Sequence, residues 1–285
     1  MKYYILYNPL AGHGGFADKL TQLKGSLDGE CLDFDVTKLD GYSNLLTKLD
    51  ENDVIILCGG DGTLNKFVNS VDVDKIKNDI LYLACGSGND FVNDVGKENK
   101  DKPFKVNKYL VNLPTVTVNG KTYKVVNGVG FGIDGYCCQV GDELKSKSKK
   151  VDYTAIAIKG LLFHFKPCNA KIIVDGRKYE YKKVWIAPTM NGRHYGGGMT
   201  PTPNQDRLKS DHVSVLSFHG SNAIHTLMMF PKLFTGEHVK FKKHVQIHEG
   251  KKVEVIFDKP CALQIDGETI LGVTSYTVEA NPNKK

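Results

Sequence analysis

Residues 54–68, VIILCGGDGTLNKFV, constrain the fold more than any other stretch. A short apolar run ends in two glycines, and after Asp61, Gly62 and Thr63 the spacing becomes helical. An unbroken apolar run of this length suits a strand buried on both faces, as in a parallel sheet. ILYLAC, 80–85, repeats it, and YYILYN, 3–8, is similar. Between these runs GFADKLTQLKGSL (15–27) and SNLLTKLDEN (43–52) have helical spacing, and LDFDVTKL (32–39) reads as a strand. Alternation of this kind predicts an open, doubly wound α/β sheet with helices on both faces.

The texture changes after Pro114. VTVNGKTYKVV and KIIVDGRKYEY each join two alternating runs through Asn-Gly or Asp-Gly, the strongest short hairpin signal. KVWIAPTM, HVSVLSF, KVEVIF, CALQIDGETI and SYTVEA read as further short strands. The expected fold class is therefore α/β plus β. A doubly wound α/β domain over 1–115 precedes an antiparallel β-sandwich over 116–285. One helix, VDYTAIAIKGLLFHF at 151–165, interrupts the second domain and is apolar nearly all round. It is either packed on the sandwich or presents an apolar face to an acyl chain or bilayer, with Lys145, Lys147, Lys149 and Lys150 facing anionic head groups.

Totals exclude several classes. No apolar stretch approaches the roughly 20 residues that span a bilayer. The N-terminus reads as a first strand, without the basic region and cleavage site of a signal peptide. Seven cysteines, an odd number without a CxxC pair, argue against a disulfide framework or a zinc site and for a reducing cytoplasm. A net charge of +6 does not argue for nucleic acid, and oligomeric state has no signature here.

In open α/β sheets ligands bind outside the C-terminal strand ends. GGDGT lies at such an end, and its glycines let backbone N–H groups approach an anion at a helix N-terminus. Asp61 would repel phosphate unless a divalent cation or an attacking hydroxyl stands between. LACGSGNDF (83–91) and NPLAGHGGF (8–16) repeat the design, so two neighbouring glycine turns would form one crevice with Asn89 and Asp90 at its rim. A plain tight turn is the competing reading of Gly-Asp-Gly alone.

In this order NPLAGHGG, GGDGTLN, GSGNDF and NGVGFGID resemble the diacylglycerol kinase catalytic family, in particular its soluble bacterial lipid kinases. Sphingosine kinases are related, and NAD kinases, which share GGDGT, more distantly. The resemblance continues through GGGM (196–199) and IDGE (265–268). It implies ATP in a cleft between the domains, with Mg²⁺, and transfer of the γ-phosphate to a lipid alcohol. The expected setting is cytoplasmic, peripheral at the inner membrane face, in lipid metabolism. Carried over by motif, the nucleotide residues are Asn8, Thr37, Gly59, Gly60, Asp61, Gly62, Thr63, Leu64, Asn65 and Ser87. Ser87 stands where the family commonly has threonine.

The resemblance places IDGE at the transferred phosphate, where a carboxylate can take the hydroxyl proton. Asp266 and Glu268 would share one face of a regular strand, which leaves the base open between them; Asp61 is a third candidate, assigned instead to Mg²⁺ or orientation. Asp134 corresponds to an aspartate of a metal–water network. Asp211, with the Leu208 and Val213 carbonyls, corresponds to a structural Mg²⁺ site, but His212 replaces the usual glycine. The family usually runs on past its final strand, so a return of the last residues to the first domain is expected to be short or missing. The literal GxGxxG in GFGIDG falls mid-chain, before lysine-rich sequence read as a loop, and does not make a dinucleotide site. An NAD kinase-like phosphotransferase and a non-catalytic nucleotide-binding protein remain the alternatives.

Overall fold

The computed structural model describes residues 1–11, 16–209 and 211–281. The chain divides into two compact units, residues 1–112 and 113–285.

The first unit alternates β1 (Lys2–Tyr7), α1 (Phe16–Gly25), β2 (Glu30–Asp35), α2 (Ser43–Leu46), β3 (Val54–Gly59), α3 (Asp61–Ser70), β4 (Asp79–Ala84), α4 (Asp90–Val95), β5 (Phe104–Lys105) and α5 (Asn107–Leu110). The sheet order is β2-β1-β3-β4-β5, with the first four strands parallel and the two-residue β5 antiparallel. Ile5, Leu6, Ile55, Ile56 and Leu57 are fully buried, as an apolar run covered on both faces requires. The expected helix at 43–52 is a single turn. Beyond it Asp53, itself buried, accepts the N–H groups of Lys2 and Asp50, and this turn feeds Val54 into the sheet.

Register puts the C-terminal strand ends level: Tyr7 pairs with Asp35 and Cys58, and Gly59 with Ala84. The chain leaves β1 for β2 on one side and returns to β3 on the other. The topological switch point therefore lies between β1 and β3.

The second unit contains β6 (Thr115–Val118), β7 (Lys121–Lys124), β8 (Gly128–Gly132), α6 (Ile133–Ser146), α7 (Tyr153–Lys159), β9 (Cys168–Val174), β10 (Arg177–Val184), β11 (Ile186–Met190), β12 (Val213–Phe218), α8 (Ala223–Met229), α9 (Lys232–Thr235), β13 (Val245–Gly250), β14 (Lys252–Ile265) and β15 (Glu268–Glu279). All strand pairs are antiparallel. KVEVIF and CALQI are one strand, β14, whose register shifts between Ile256 and Cys261. Its first half pairs with β9 and its second with β8, so one continuous sheet supplies what was expected as separate short strands. Phe131, Ile172, Val215, Val255, Leu263 and Tyr276 fill its core. Asn119-Gly120, Asp175-Gly176 and Asp266-Gly267 all have positive φ and close hairpins, the first two as expected from the sequence.

Two helical readings change. Residues 133–146, up to the start of the lysine-rich stretch at 145–150 read as a loop, form the unannounced helix α6, whose first turn is buried; Lys147, Lys149 and Lys150 lie beyond it and are exposed. The helix expected over 151–165 is α7 followed by a π turn over 160–164, closed by the Phe165 N–H donating to the Gly160 carbonyl at 2.8 Å. GFGIDG does join a strand to a helix, but both neighbours of β8 are antiparallel. Its glycines serve packing: a Cβ at Gly132 or Gly135 would run into the Trp185 or Ala262 carbonyl.

Candidate active site

The turns after β1, β3 and β4 meet at the C-terminal edge of the first sheet. Gly60 and Gly86 pack backbone on backbone: a Cβ at Gly60 would lie 3.0 Å from Gly86 Cα. Asp61 then joins the two loops. Its Oδ1 accepts the Phe91 N–H at 2.9 Å and its Oδ2 the Asp90 N–H at 3.0 Å. A carboxylate at the N-terminus of α4 satisfies first-turn N–H groups and complements the helix dipole. Asp61 is thus an inter-loop cap as well as the first residue of α3. Asn89 and Asp90 are buried beneath this junction rather than lying at a rim.

The turn after β1 is tied in through Asn8, whose Nδ2 donates to Thr63 Oγ1 at 3.3 Å. Thr63 lies in the first turn of α3, buried, and its side chain excludes any Cβ at Gly59. Gly62 faces open space, with nothing within 4 Å of a Cβ placed there. Leu64 is fully buried and its N–H goes to the Gly60 carbonyl, so its side chain builds the core. Asn65 is also buried, and Ser87 is exposed beside Gly86. Thr37 follows β2 at the same edge, where its N–H and hydroxyl both bond Asp35 Oδ1. The hydroxyl bond, foremost, holds the Asp35 carboxyl below its usual range. Residues 12–15 of the first glycine turn lie outside the described residues.

In the second unit Asp266 occupies the β14–β15 turn, so Asp266 and Glu268 do not lie side by side on a strand as expected. The Asp266 carboxylate accepts N–H groups from Val126, Asn127 and Gly128 at 2.7, 2.7 and 2.9 Å. Glu268 is exposed. Behind them Arg207, only 5% exposed, donates to the Val126 carbonyl and Asn127 Oδ1, both at 3.0 Å. Asn191 Nδ2 donates to the same Val126 carbonyl at 2.9 Å. Residues 126–128 are therefore clamped from both sides by side chains distant in sequence.

Asp134, in the first turn of α6, is buried against β-sheet residues. Burial pushes its carboxyl up to about 7, and the Gly135 N–H, then the Tyr195 hydroxyl and the nearby Gln264 amide, offset only part of that. Tyr195 donates to Oδ2 at 3.2 Å, while Oδ1 and Gln264 Nε2 are buried without hydrogen-bond partners among the described residues. The spare Oδ1 could take a water or one position of a cation.

Asp211 Oδ2 is paired with Lys251 at 3.0 Å and Oδ1 with His212 at 3.3 Å, so the chain's own donors take both oxygens. Among the described residues no group of three or more His, Cys, Asp or Glu side chains could hold a metal. His212 also contacts Glu249 at 3.1 Å, so the Asp211 carboxylate lies in a surface ion-pair cluster, and the other two expected ligands, the Leu208 and Val213 carbonyls, flank it in sequence.

Residues 2–117 match the model of the diacylglycerol kinase catalytic domain, and residues 127–284 that of the YegS C-terminal NAD kinase beta sandwich-like domain. The chain belongs to the diacylglycerol kinase catalytic family. Among curated relatives, a diacylglycerol kinase of Bacillus subtilis (strain 168) is 23% identical over 279 residues, covering 93% of this chain and 88% of that one. Among solved structures, a diacylglycerol kinase from Bacillus anthracis str. Sterne superposes with a TM-score of 0.66 at 21% identity, covering 98% and 93% of the two chains, and shows the same fold. Membership supports a kinase that uses a nucleotide.

For a kinase of this family the first unit offers what phosphate groups need. The α3 N-terminus, two glycine-rich loops, and open space at Gly62 converge there. Sequence reasoning missed Arg207, Asn127 and Asn191. A signal was available in QDRL and in the two Asn-Gly pairs at 127 and 191, but nothing local says that these residues meet.

Proposed function

We propose that the protein is an ATP-dependent lipid kinase that phosphorylates the hydroxyl of a diacylglycerol-like lipid at a membrane surface. The observation that carries this reading is the Asp61 bridge, which fuses GGDGT and GSGND into one preorganised phosphate cradle in a chain of this family. Bound MgATP supplies the phosphoryl group and the metal's charge neutralisation. The first turn of α3 and Ser87 hold phosphate oxygens, with Asn8 and Thr63 fixing the adjacent turn. Asp61 keeps the two loops in register and would help hold the metal when MgATP is bound. At the IDGE hairpin, Glu268 is the better base, because Asp266 is committed to three backbone donors and acts as the hairpin's anchor. A carboxylate there orients the lipid hydroxyl and takes its proton.

The test is transfer of radiolabelled phosphate from ATP to a panel of lipid alcohols in mixed micelles: diacylglycerol, phosphatidylglycerol, a long-chain base and a polyprenol. Labelled diacylglycerol is the expected product. Labelling of NAD with no labelled lipid would move the protein to the NAD kinase-like alternative.

A further inference from the structure

The helices of the second unit carry apolar side chains on their outer side. Ile158 and Phe163 are 42% and 75% exposed, Ile224 and Met228 are 67% and 69%, and Phe234 is 48%. Ile224 and Met228 are one turn apart on α8 and share a face. That helix packs against the π turn carrying Phe163. The inner sides of the same elements are sealed: Leu161, Met229 and Leu233 join Trp185 and Phe218 in one buried cluster. The outer residues are therefore not a core left unfilled. Single exposed apolar side chains need no explanation, but a group on contiguous helices marks an interaction surface.

Charge identifies the partner. Residues 142–166 hold six lysines against three acids, and residues 223–244 four lysines against one. These two segments account for the whole net charge of +6, and the rest of the chain is neutral in sum. A second copy docking by the same face would set these cationic rims against each other. An anionic lipid surface complements both features, since amphipathic helices with lysine flanks enter the head-group boundary and basic residues face lipid phosphates.

We infer that α7, the π turn, α8 and α9 form a face that docks on an anionic bilayer, with Phe163, Ile224 and Met228 entering between head groups and the flanking lysines facing lipid phosphates. The inference rests on the lipid-kinase reading for its purpose, which is to bring the chain to where its acceptor resides. α8 is the part the sequence did not announce.

Flotation of the full chain with vesicles of phosphatidylcholine, and of phosphatidylcholine mixed with phosphatidylglycerol, tests it. The wild type binds the mixed vesicles at least about tenfold more tightly than the neutral ones, and salt weakens that binding. Ile224→Ser combined with Met228→Ser, and Phe163→Ser alone, each weaken binding by about tenfold or more, as lost burial of such side chains implies. Their melting temperatures stay at the wild-type value, because the side chains are exposed. Phosphorylation of a short-chain diacylglycerol in detergent micelles, measured alongside, separates the two readings. Vesicle binding without lipid phosphorylation overturns the kinase and leaves the docking face standing. Micellar activity with equal, weak binding to both vesicles, or with serine variants that bind like wild type, overturns the docking face. So does a wild-type dimer that the serine variants convert to monomer.

Discussion

Substituting Gly62 and Gly86 separately distinguishes a glycine needed for packing from one needed for ligand approach. A Cβ at Gly86 would stand 2.5 Å from Gly60 Cα and 3.0 Å from Asn89 Oδ1. Ordinary carbon contacts are about 3.5–4.0 Å, so the two loops would have to part by roughly 1 Å. Asn89 cannot yield easily, being buried at φ 52° with its Oδ1 already unpartnered among the described residues. Overpacking of this kind costs about 1–3 kcal/mol. Gly86→Ala should therefore lower the melting temperature of the first unit by several degrees and weaken nucleotide binding with it. Gly62 is the opposite case. A methyl group there meets nothing within 4 Å, and alanine is favoured over glycine in a helix by up to about 1 kcal/mol. Gly62→Ala should melt at or above the wild-type temperature. If phosphates reach the first turn of α3, the methyl group stands in their path, and MgATP affinity falls by at least about tenfold, or 1.4 kcal/mol. Calorimetric titration with MgATP and thermal melting of both variants give all four numbers. Unchanged MgATP affinity in a fully folded Gly62→Ala protein would refute the cradle. Gly60 is the poorer probe, because any side chain there also meets Gly86.

The hairpin carboxylates should part company: Glu268→Gln lowers kcat by about 10² to 10⁴ with MgATP affinity nearly unchanged. Asp266→Asn instead loses stability, by about 1–3 kcal/mol, because an amide nitrogen must face backbone donors. Near-normal kcat in Glu268→Gln, read with Asp61→Asn as a comparison, would move the base to Asp61. The Asp134 carboxyl, raised by burial from 3.8 to about 7, keeps its proton in the folded chain at pH values where the unfolded chain has lost it. Stability should therefore fall as pH rises from about 4 to about 7, by an amount on the order of 1–4 kcal/mol, and level off above that. Denaturant unfolding of Asp134→Asn in magnesium-free buffer should lack this slope; an unchanged slope would show another group responsible. Arg207→Met should destabilise the second unit by about 2–4 kcal/mol, since the Val126 carbonyl and Asn127 lose charged donors, and a variant of wild-type midpoint in urea would count against that clamp.

The sequence by itself determined the parallel sheet, its glycine turns at one edge, the hairpins at Asn119-Gly120 and Asp175-Gly176, and the family. Each rests on a local property: uninterrupted apolar runs demand burial on both faces, and Asn-Gly or Asp-Gly tolerates positive φ wherever it occurs. The reading of CALQIDGETI as a short strand stopped at the register shift of β14, because a bulge is defined by the partner strand and not by the bulged residues. The helix α6 was hidden for a similar reason, since the burial of its first turn depends on β-sheet residues far away in sequence. Only the tertiary structure decided what the acidic residues do. Asp61 meets N–H groups 29 and 30 residues away, and Asp266 meets N–H groups as far as 140 residues away. A carboxylate at either place reads alike in sequence as metal ligand, base or turn residue. Which donors surround it is a matter of chain topology, and so is the side of α8 that finds no protein to cover it.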